Sequence, residues 1–361
     1  MIRNLHIQNF KCFDHLSLRM APLTLLTGFN AAGKSTTIQS LLLLAQTMRS
    51  PSIEPQLLLN GPLVSLGSPG EVLNQKNSSK EILLGFSTEQ ANALWRYTVS
   101  GDSARRSLTA ESCEITGVTS GAFHSVEELI YLGATRQGEK HLFPVTEDSA
   151  ITGDCGCAGQ FAPWNFYHFG DEPADPKRSS SSEPGTIRKE INAWLNVLFP
   201  GAEANVIPIV GTEFALLQFR TSATAEWQRP SNVGFGLSYA FPFLVAGMCS
   251  RPGQSIIVDS PEAHLHPKGQ SQIGRFAARL AGAGQQLIIE THSDHFLNGV
   301  RLALREGLLS PEDVALYFFS HEDGRRNIQE LSVDSKGNIS DWPVGFFDQA
   351  EQDLAVLAGW I

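Results

Sequence analysis

Residues Gly28–Ser35 read GFNAAGKS and fit the pattern G-x-x-x-x-G-K-[ST] without a mismatch. The pattern requires a strand before it and a helix after it. Pro22–Thr27 (PLTLLT) reads as that strand, and Thr36–Ala45 (TTIQSLLLLA) as the start of that helix. In this context the loop's backbone N–H groups wrap a β-phosphate, and the helix N-terminus adds the positive end of its dipole. Lys34 then reaches the β- and γ-phosphates, and the Ser35 hydroxyl holds Mg²⁺. The alternative is a glycine turn that contains GKS by chance, and the flanking strand and helix argue against it.

Two later strands supply acids and a histidine. Gln254–Asp259 is a buried run ending in Asp259, the place where an acid coordinates Mg²⁺. Gln285–His292 is the next strand, and His292 in Glu-Thr-His-Ser can sense a γ-phosphate. Its plainer role is an N-capping turn built by Thr291 and Ser293. Before Asp259, Asn232–Tyr239 (NVGFGLSY) is a glycine-rich turn opening a helix that Pro242 should kink or restart. Backbone N–H groups there suit a phosphate, although an ordinary helix cap needs no more.

The rest of the chain sorts around these motifs. Strands are expected at Ile2–Ile7 and Leu16–Leu18, at Lys80–Ser87, Trp95–Ser100, Glu203–Ile209 and Phe214–Arg220, with a helix near Thr186–Phe199. Helices near Lys268–Gly282 and Asp294–Glu306 complete a βαβα alternation, which implies parallel strands. Val314–Phe319 and Ile328–Val333 read as an antiparallel hairpin around His321–Gly324. Asp171–Gly185 reads as a surface loop rich in Pro and Ser. No heptad pattern is sustained, so a long coiled coil is not expected.

GFNAAGKS, NVGFGLSY, VDSPEAHLHP and ETHS, in that order, resemble the ABC-type ATPases of the RecF, SMC and overcoming-lysogenization-defect (OLD-like) group. The ending LYFF…LSVDSKGNISDWPVGFFDQ and the motif Tyr131–Arg136 (YLGATR) are similar to small bacterial AAA-annotated ATPases with a C-terminal domain of unknown function. The resemblance implies an α/β P-loop NTPase of the ABC-ATPase type. Its mixed sheet carries helices on both faces and antiparallel strands at the N-terminus, with an inserted α+β lobe and a small C-terminal β-hairpin extension. The expected partition is a core of 1–60 and 200–310, a lobe of 61–199 and an extension of 311–361.

The same resemblance implies site residues. Gly28, Asn30, Gly33, Lys34, Ser35 and Thr36 bind ATP. Asp259 and Ser35 hold Mg²⁺, and His292 is the switch histidine. Gly234, Gly236 and Ser238 form the turn that caps the γ-phosphate of a second copy. Two departures stand out: Gly234 fills the usual serine place, and Ser260 stands where a catalytic glutamate follows the metal acid. Glu262 is the nearest carboxylate in sequence and is taken as the water-polarising base; with Ser260 in the usual place, hydrolysis is expected to be slow if Glu262 does not reach the water. Gln75 is a candidate for the glutamine that couples nucleotide to the lobe. His264 and His266 could suggest a metal pair, but the next helix begins at once.

Composition limits the remaining readings. Hydrophobic residues make up 42% of the 361, enough for a well-buried core, and the net charge is −10. Acidity argues against binding DNA by bulk charge. The basic clusters Arg105-Arg106, Lys177-Arg178, Arg188-Lys189 and Arg325-Arg326 are modest and read as solvated surface. The five cysteines are scattered, and Cys155 and Cys157 lack a second pair for zinc. No run approaches the ~18–20 apolar residues of a membrane span, and a cytoplasmic location is expected. Asp334, Asp341 and Asp348 read as turn residues rather than a nuclease centre. The leading expectation is a homodimeric ATP switch, open to higher assembly, that controls a separate effector such as a nuclease or toxin of an anti-phage complex. The alternative is a RecF/SMC-like DNA-binding ATPase of repair.

Overall fold

The computed structural model describes residues 1–50, 56–99, 107–117, 121–146, 151–180, 185–322 and 325–359. Its strands are β1 (Ile2–Phe10), β2 (Phe13–Arg19), β3 (Leu23–Gly28), β4 (Gln56–Leu58), β5 (Glu81–Thr88), β6 (Asn92–Thr98), β7 (Ser107–Thr116), β8 (Ile130–Leu132), β9 (Leu142–Pro144), β10 (Glu203–Pro208), β11 (Phe214–Arg220), β12 (Ser255–Asp259), β13 (Gln286–Glu290), β14 (Val314–Glu322) and β15 (Arg325–Leu331). Its helices are α1 (Lys34–Met48), α2 (Pro69–Val72), α3 (His124–Glu127), α4 (Ala162–His168), α5 (Ile187–Leu198), α6 (Phe235–Cys249), α7 (Pro267–Gly282), α8 (Asp294–Arg305) and α9 (Gln349–Leu357).

The central sheet runs β15-β14-β3-β13-β12-β8, parallel except for the edge strand β15. Its inner strands β3, β12 and β13 are buried along nearly their whole length because both faces are covered. Side-chain alternation divides them between two cores. Leu23, Leu25, Ile256, Val258, Leu287 and Ile289 face one core, together with α6, α7 and α8. Leu26, Ile257 and Ile288 face the other, with α1 and the antiparallel sheet. That second sheet runs β2-β1-β5-β6-β7-β4. Its strand β1 is largely half-buried in alternation, as a sheet with one covered face requires.

Strand pairing departs from the expected partition. β5 to β7, assigned to the lobe, continue the sheet begun by β1 and β2. Ile130–Leu132 lies beside β12 in the central sheet. β14 runs parallel to β3 over Val314–Phe319, so the extension is part of the core sheet. The three-stranded sheet β10-β11-β9 is separate in its pairing, yet with α4 and α5 it packs into the same core as α6, α7 and one face of the central sheet. Hydrophobic periodicity locates a strand but does not say which edge it joins. The short strands β8 and β9, the strand β7 and the helix α4 were not anticipated.

The helix α6 continues through Pro242 instead of restarting there. It is almost entirely buried, and surrounding contacts hold its backbone where the proline ring removes a donor. Arg136, itself buried, donates from Nη1 to Tyr239 O (3.2 Å) at this turn of the helix. The part of the hairpin turn at residues 323–324 lies outside the described residues, as do Arg105 and Arg106.

Candidate nucleotide site

The loop between β3 and α1 keeps its shape through backbone geometry that side chains rarely allow. Gly28 has φ +116°, and a Cβ there would sit 2.1 Å from Phe319 O of β14. Gly33 has φ +119°, and a Cβ there would meet the Phe13 ring at 2.4 Å. Only glycine fits either place. The helix α1 starts at Lys34 without a side-chain cap, which leaves its first N–H groups facing the loop. Phe29 and Asn30 are exposed at the tip and Thr36 is buried in the first turn.

Lys34 is buried, and its Nζ donates to Gly28 O (3.0 Å) and Phe29 O (2.8 Å). Burial pushes its pKa down, opposed by Glu290 and Asp259. Ser35 Oγ lies 3.0 and 3.2 Å from the two oxygens of Glu290. Glu290 ends β13, and its Oε1 lies 3.8 Å from Lys34 Nζ and 3.9 Å from His292 Nε2. Burial pushes the Glu290 carboxyl up to about 7, reinforced by Asp259 and opposed by Lys34. Sequence reasoning passed over Glu290 although it opens the quoted Glu-Thr-His-Ser. The available signal was its position at the end of a strand next to that of Asp259.

Asp259 accepts from Ser260 Oγ at 2.9 Å, and Arg136 Nη2 donates to its backbone oxygen at 2.7 Å. Ser260 has φ +50°, a conformation that costs a side-chain-bearing residue energy and concentrates at working sites. Glu262 is buried, and its Oε1 accepts from His292 N at 2.8 Å. Its Oε2 is buried without a hydrogen-bond partner among the described residues. The Glu262 carboxyl is pushed up by burial. The His292 ring is half-exposed and its pKa is pushed down by burial and by Lys34, which favours the neutral imidazole. Lys34, Ser35, Asp259, Glu290 and His292 thus form one charged cluster, and Glu262 supports it through the His292 backbone.

The glycine turn opens α6. Gly234 caps the helix with no side-chain hydrogen bond, and open space surrounds it. Phe235 beside it is 48% exposed. Gly236 is packed inward, since a Cβ would meet His264 O at 2.8 Å. Ser238 is buried with its Oγ unpartnered among the described residues. His264 meets Tyr239 edge-on, with ring centroids 4.4 Å apart, and His266 caps α7 by accepting from Lys268 N at 3.4 Å. Both histidines therefore serve local structure, and no cluster of three or more His, Cys, Asp or Glu that could hold a metal occurs among the described residues.

Other expected residues are placed less centrally. Gln75 lies exposed in a loop and donates to Gly70 O at 2.8 Å. Residues on either side of it line a cavity of about 790 Å³ with Cys12, Phe13, His15 and Arg326. Phe13 and Cys12 also press on Gly33, so this cavity adjoins the start of α1. Arg178 is buried, not solvated, and donates to Gly247 O (3.2 Å) and Ser250 O (2.6 Å) at the end of α6. Arg188 lies over the Phe166 ring and faces Asp171. Cys155 and Cys157 are free, and burial pushes both thiols up, Cys157 to about 11. Asp334 accepts from the N–H groups of Lys336 and Asn338, so it serves its turn.

The C-terminal segment reaches the loop. Phe29 meets Phe318 edge-on at 5.6 Å, and a Cβ on Gly345 would lie 2.5 Å from the Phe29 ring. Phe346 is buried against Phe318, while Trp342 remains partly exposed and packs on Phe346.

Comparisons with known proteins agree with this geometry. A family model described as "AAA ATPase domain" matches residues 1–100. A second "AAA domain" model, whose description includes the words "AbiEii toxin, Type IV TA system", matches residues 176–298. A "protein of unknown function (DUF3696)" model matches residues 309–357. No curated protein sequence matches the chain. Among solved structures, an SMC head bound to the C-winged helix domain of ScpA has a TM-score of 0.56 at 17% identity, covering 92% of this chain and 97% of that one. An SMC head domain with an extended coiled coil, bound to the C-terminal domain of ScpA derived from Pyrococcus furiosus, has a TM-score of 0.50 at 14% identity, covering 99% of each chain. Fold and loop together define a P-loop ATPase with the architecture of an SMC head. Within that class, the chain carries two stretches matched by AAA ATPase models and a third matched by the DUF3696 model, and its motifs resemble those of the RecF, SMC and OLD-like group. No helix among the described residues is long and apolar enough to cross a membrane.

Proposed function

We propose that two copies of this chain enclose two ATP molecules and act as a cytoplasmic, slowly hydrolysing switch for a separate effector. The observation that carries this reading is the open glycine turn. Gly234 has free space around it, Phe235 is exposed beside it, and the helix behind it has no side-chain cap. A helix N-terminus so presented suits a phosphate held by another copy. The DNA-repair alternative loses support, since Arg178 is buried and Arg188 is paired.

The oxygen donors of Ser35 and Asp259, with Glu290 beside them, suit Mg²⁺, which prefers one or two carboxylates and substrate phosphate. Bound Mg²⁺ would neutralise charge developing on the phosphates. Lys34 exchanges its bonds to Gly28 O and Phe29 O for phosphate oxygens. The nucleoside end lies toward the cavity beside Phe13. Glu262 takes a proton from the attacking water on its unpartnered Oε2 as the water oxygen bonds to the γ-phosphorus. The bond to the β-phosphate oxygen breaks and ADP leaves. The His292 ring orients that water from the neutral side of its titration. Ser260 offers only a hydroxyl where a base usually follows Asp259, so turnover is slow.

Light scattering with saturating Mg²⁺ and ATP tests the assembly. Glu262→Gln should hydrolyse about 10²–10⁴-fold more slowly and persist at twice the protomer mass. Gly234→Glu and Lys34→Ala should remain at the protomer mass. A Glu262→Gln protein that stays single with ATP bound overturns the reading. Material co-purifying with wild type but not with Lys34→Ala identifies the effector class, whereas salt-dependent duplex binding would restore the DNA alternative.

A further inference from the structure

Resting on the ATP reading above, a second carboxylate takes a defined role at the cation. The acid read from sequence, Asp259, makes its side-chain hydrogen bond to its neighbour Ser260 (2.9 Å). The Ser35 hydroxyl instead donates to Glu290, lying within 3.2 Å of both carboxylate oxygens. Glu290 is buried on β13, the strand between the loop strand β3 and the acid strand β12. Its Oε1 also lies 3.8 Å from Lys34 Nζ.

A serine that ligates a hard cation must point a lone pair at it, so its proton needs an acceptor on the other side. Here that acceptor is in place. We infer that Glu290 is the positioning residue of the Mg²⁺ site: it takes the Ser35 hydroxyl proton in a hydrogen bond and turns the oxygen lone pair toward the cation. Charge points the same way. Lys34 is the one cation in contact with this carboxylate among the described side-chain pairs apart from His292, and Asp259 adds a second negative charge nearby. A divalent cation balances two carboxylates that one ammonium leaves in excess.

The test is calorimetric titration of the full-length protein with ATP, once with Mg²⁺ and once with EDTA. Wild type should gain affinity from Mg²⁺. Glu290→Ala should bind Mg²⁺-free ATP at least as tightly as wild type, having lost a negative charge near the phosphates. Its gain from Mg²⁺ should shrink about tenfold or more, the usual effect of losing a residue that orients a metal ligand. Glu290→Gln keeps an oxygen that can accept from Ser35 and should fall between the two. Ser35→Ala should lose the same gain, and combining it with Glu290→Ala should add little, since both act through one oxygen. A Mg²⁺ gain within twofold of wild type in both Glu290 variants overturns the proposal. Should Glu290→Ala fail to fold, Glu290→Gln decides alone. A wild-type chain that binds no ATP in either buffer overturns the ATP reading instead.

Discussion

Asp154 shows how one partly buried acid sets a pH dependence apart from the nucleotide site. Its carboxylate accepts from Gly156 N at 2.9 Å, and burial pushes its pKa above the ordinary value of 3.8. The folded protein therefore holds a proton there that the unfolded chain has released. Stability falls as pH rises from the ordinary carboxylate range through the raised value, and the loss is complete above it. Asp154→Asn keeps an oxygen for Gly156 and cannot ionise. Its stability relative to wild type should increase with pH across that window. Urea unfolding at several pH values measures this, and parallel curves for the two proteins would contradict it. Residues of this kind were invisible in sequence, because nothing in Asp-Cys-Gly-Cys announces burial.

Among the elements, the segment from Ile130 to Arg136 does more than its length suggests. β8 gives the central sheet its edge beside β12, and Arg136 beyond it donates to Asp259 O and Tyr239 O. One guanidinium thus ties the end of the acid strand to the helix that opens with the glycine turn. Burial lowers its pKa to about 10, and it remains charged at neutral pH. Arg136→Met fills similar space but leaves two carbonyls without this donor. Hydrogen bonds to a charged group contribute about 1.5–3 kcal/mol each, partly offset by relief of the buried charge. A net loss of about 2–3 kcal/mol is expected from the urea midpoint at unchanged slope. A midpoint equal to wild type would show the tie to be dispensable. The buried strands β3, β12 and β13 were legible as apolar runs. Arg136 was visible only as part of a motif, since a three-residue strand has no period to read.

For the whole molecule, the phosphate loop, the acid strand and the glycine turn could all be read in advance, because each needs particular residues at fixed spacing. What joins what could not, since pairing depends on faces and edges that sequence separation hides. The last fifty residues illustrate this. They read as an appendage, yet β14 lies against β3 from Leu23 to Gly28, and its carbonyl at Phe319 accepts from Phe29 N at 2.9 Å. Deleting residues 309–361 should expose the edge of β3 and the core beneath it, giving a protein that loses near-ultraviolet circular dichroism or aggregates on gel filtration. A truncated protein with a wild-type melting temperature would show the segment to be independent after all.

The contact between Gly345 and Phe29 narrows what this tail can tolerate. One aromatic ring belongs at once to the tip of the glycine loop between β3 and α1 and to the floor on which the tail rests. A tag, fusion or ligand that lifts residues 342–347 withdraws that floor, and on the proposed ATP reading it should weaken nucleotide affinity as well.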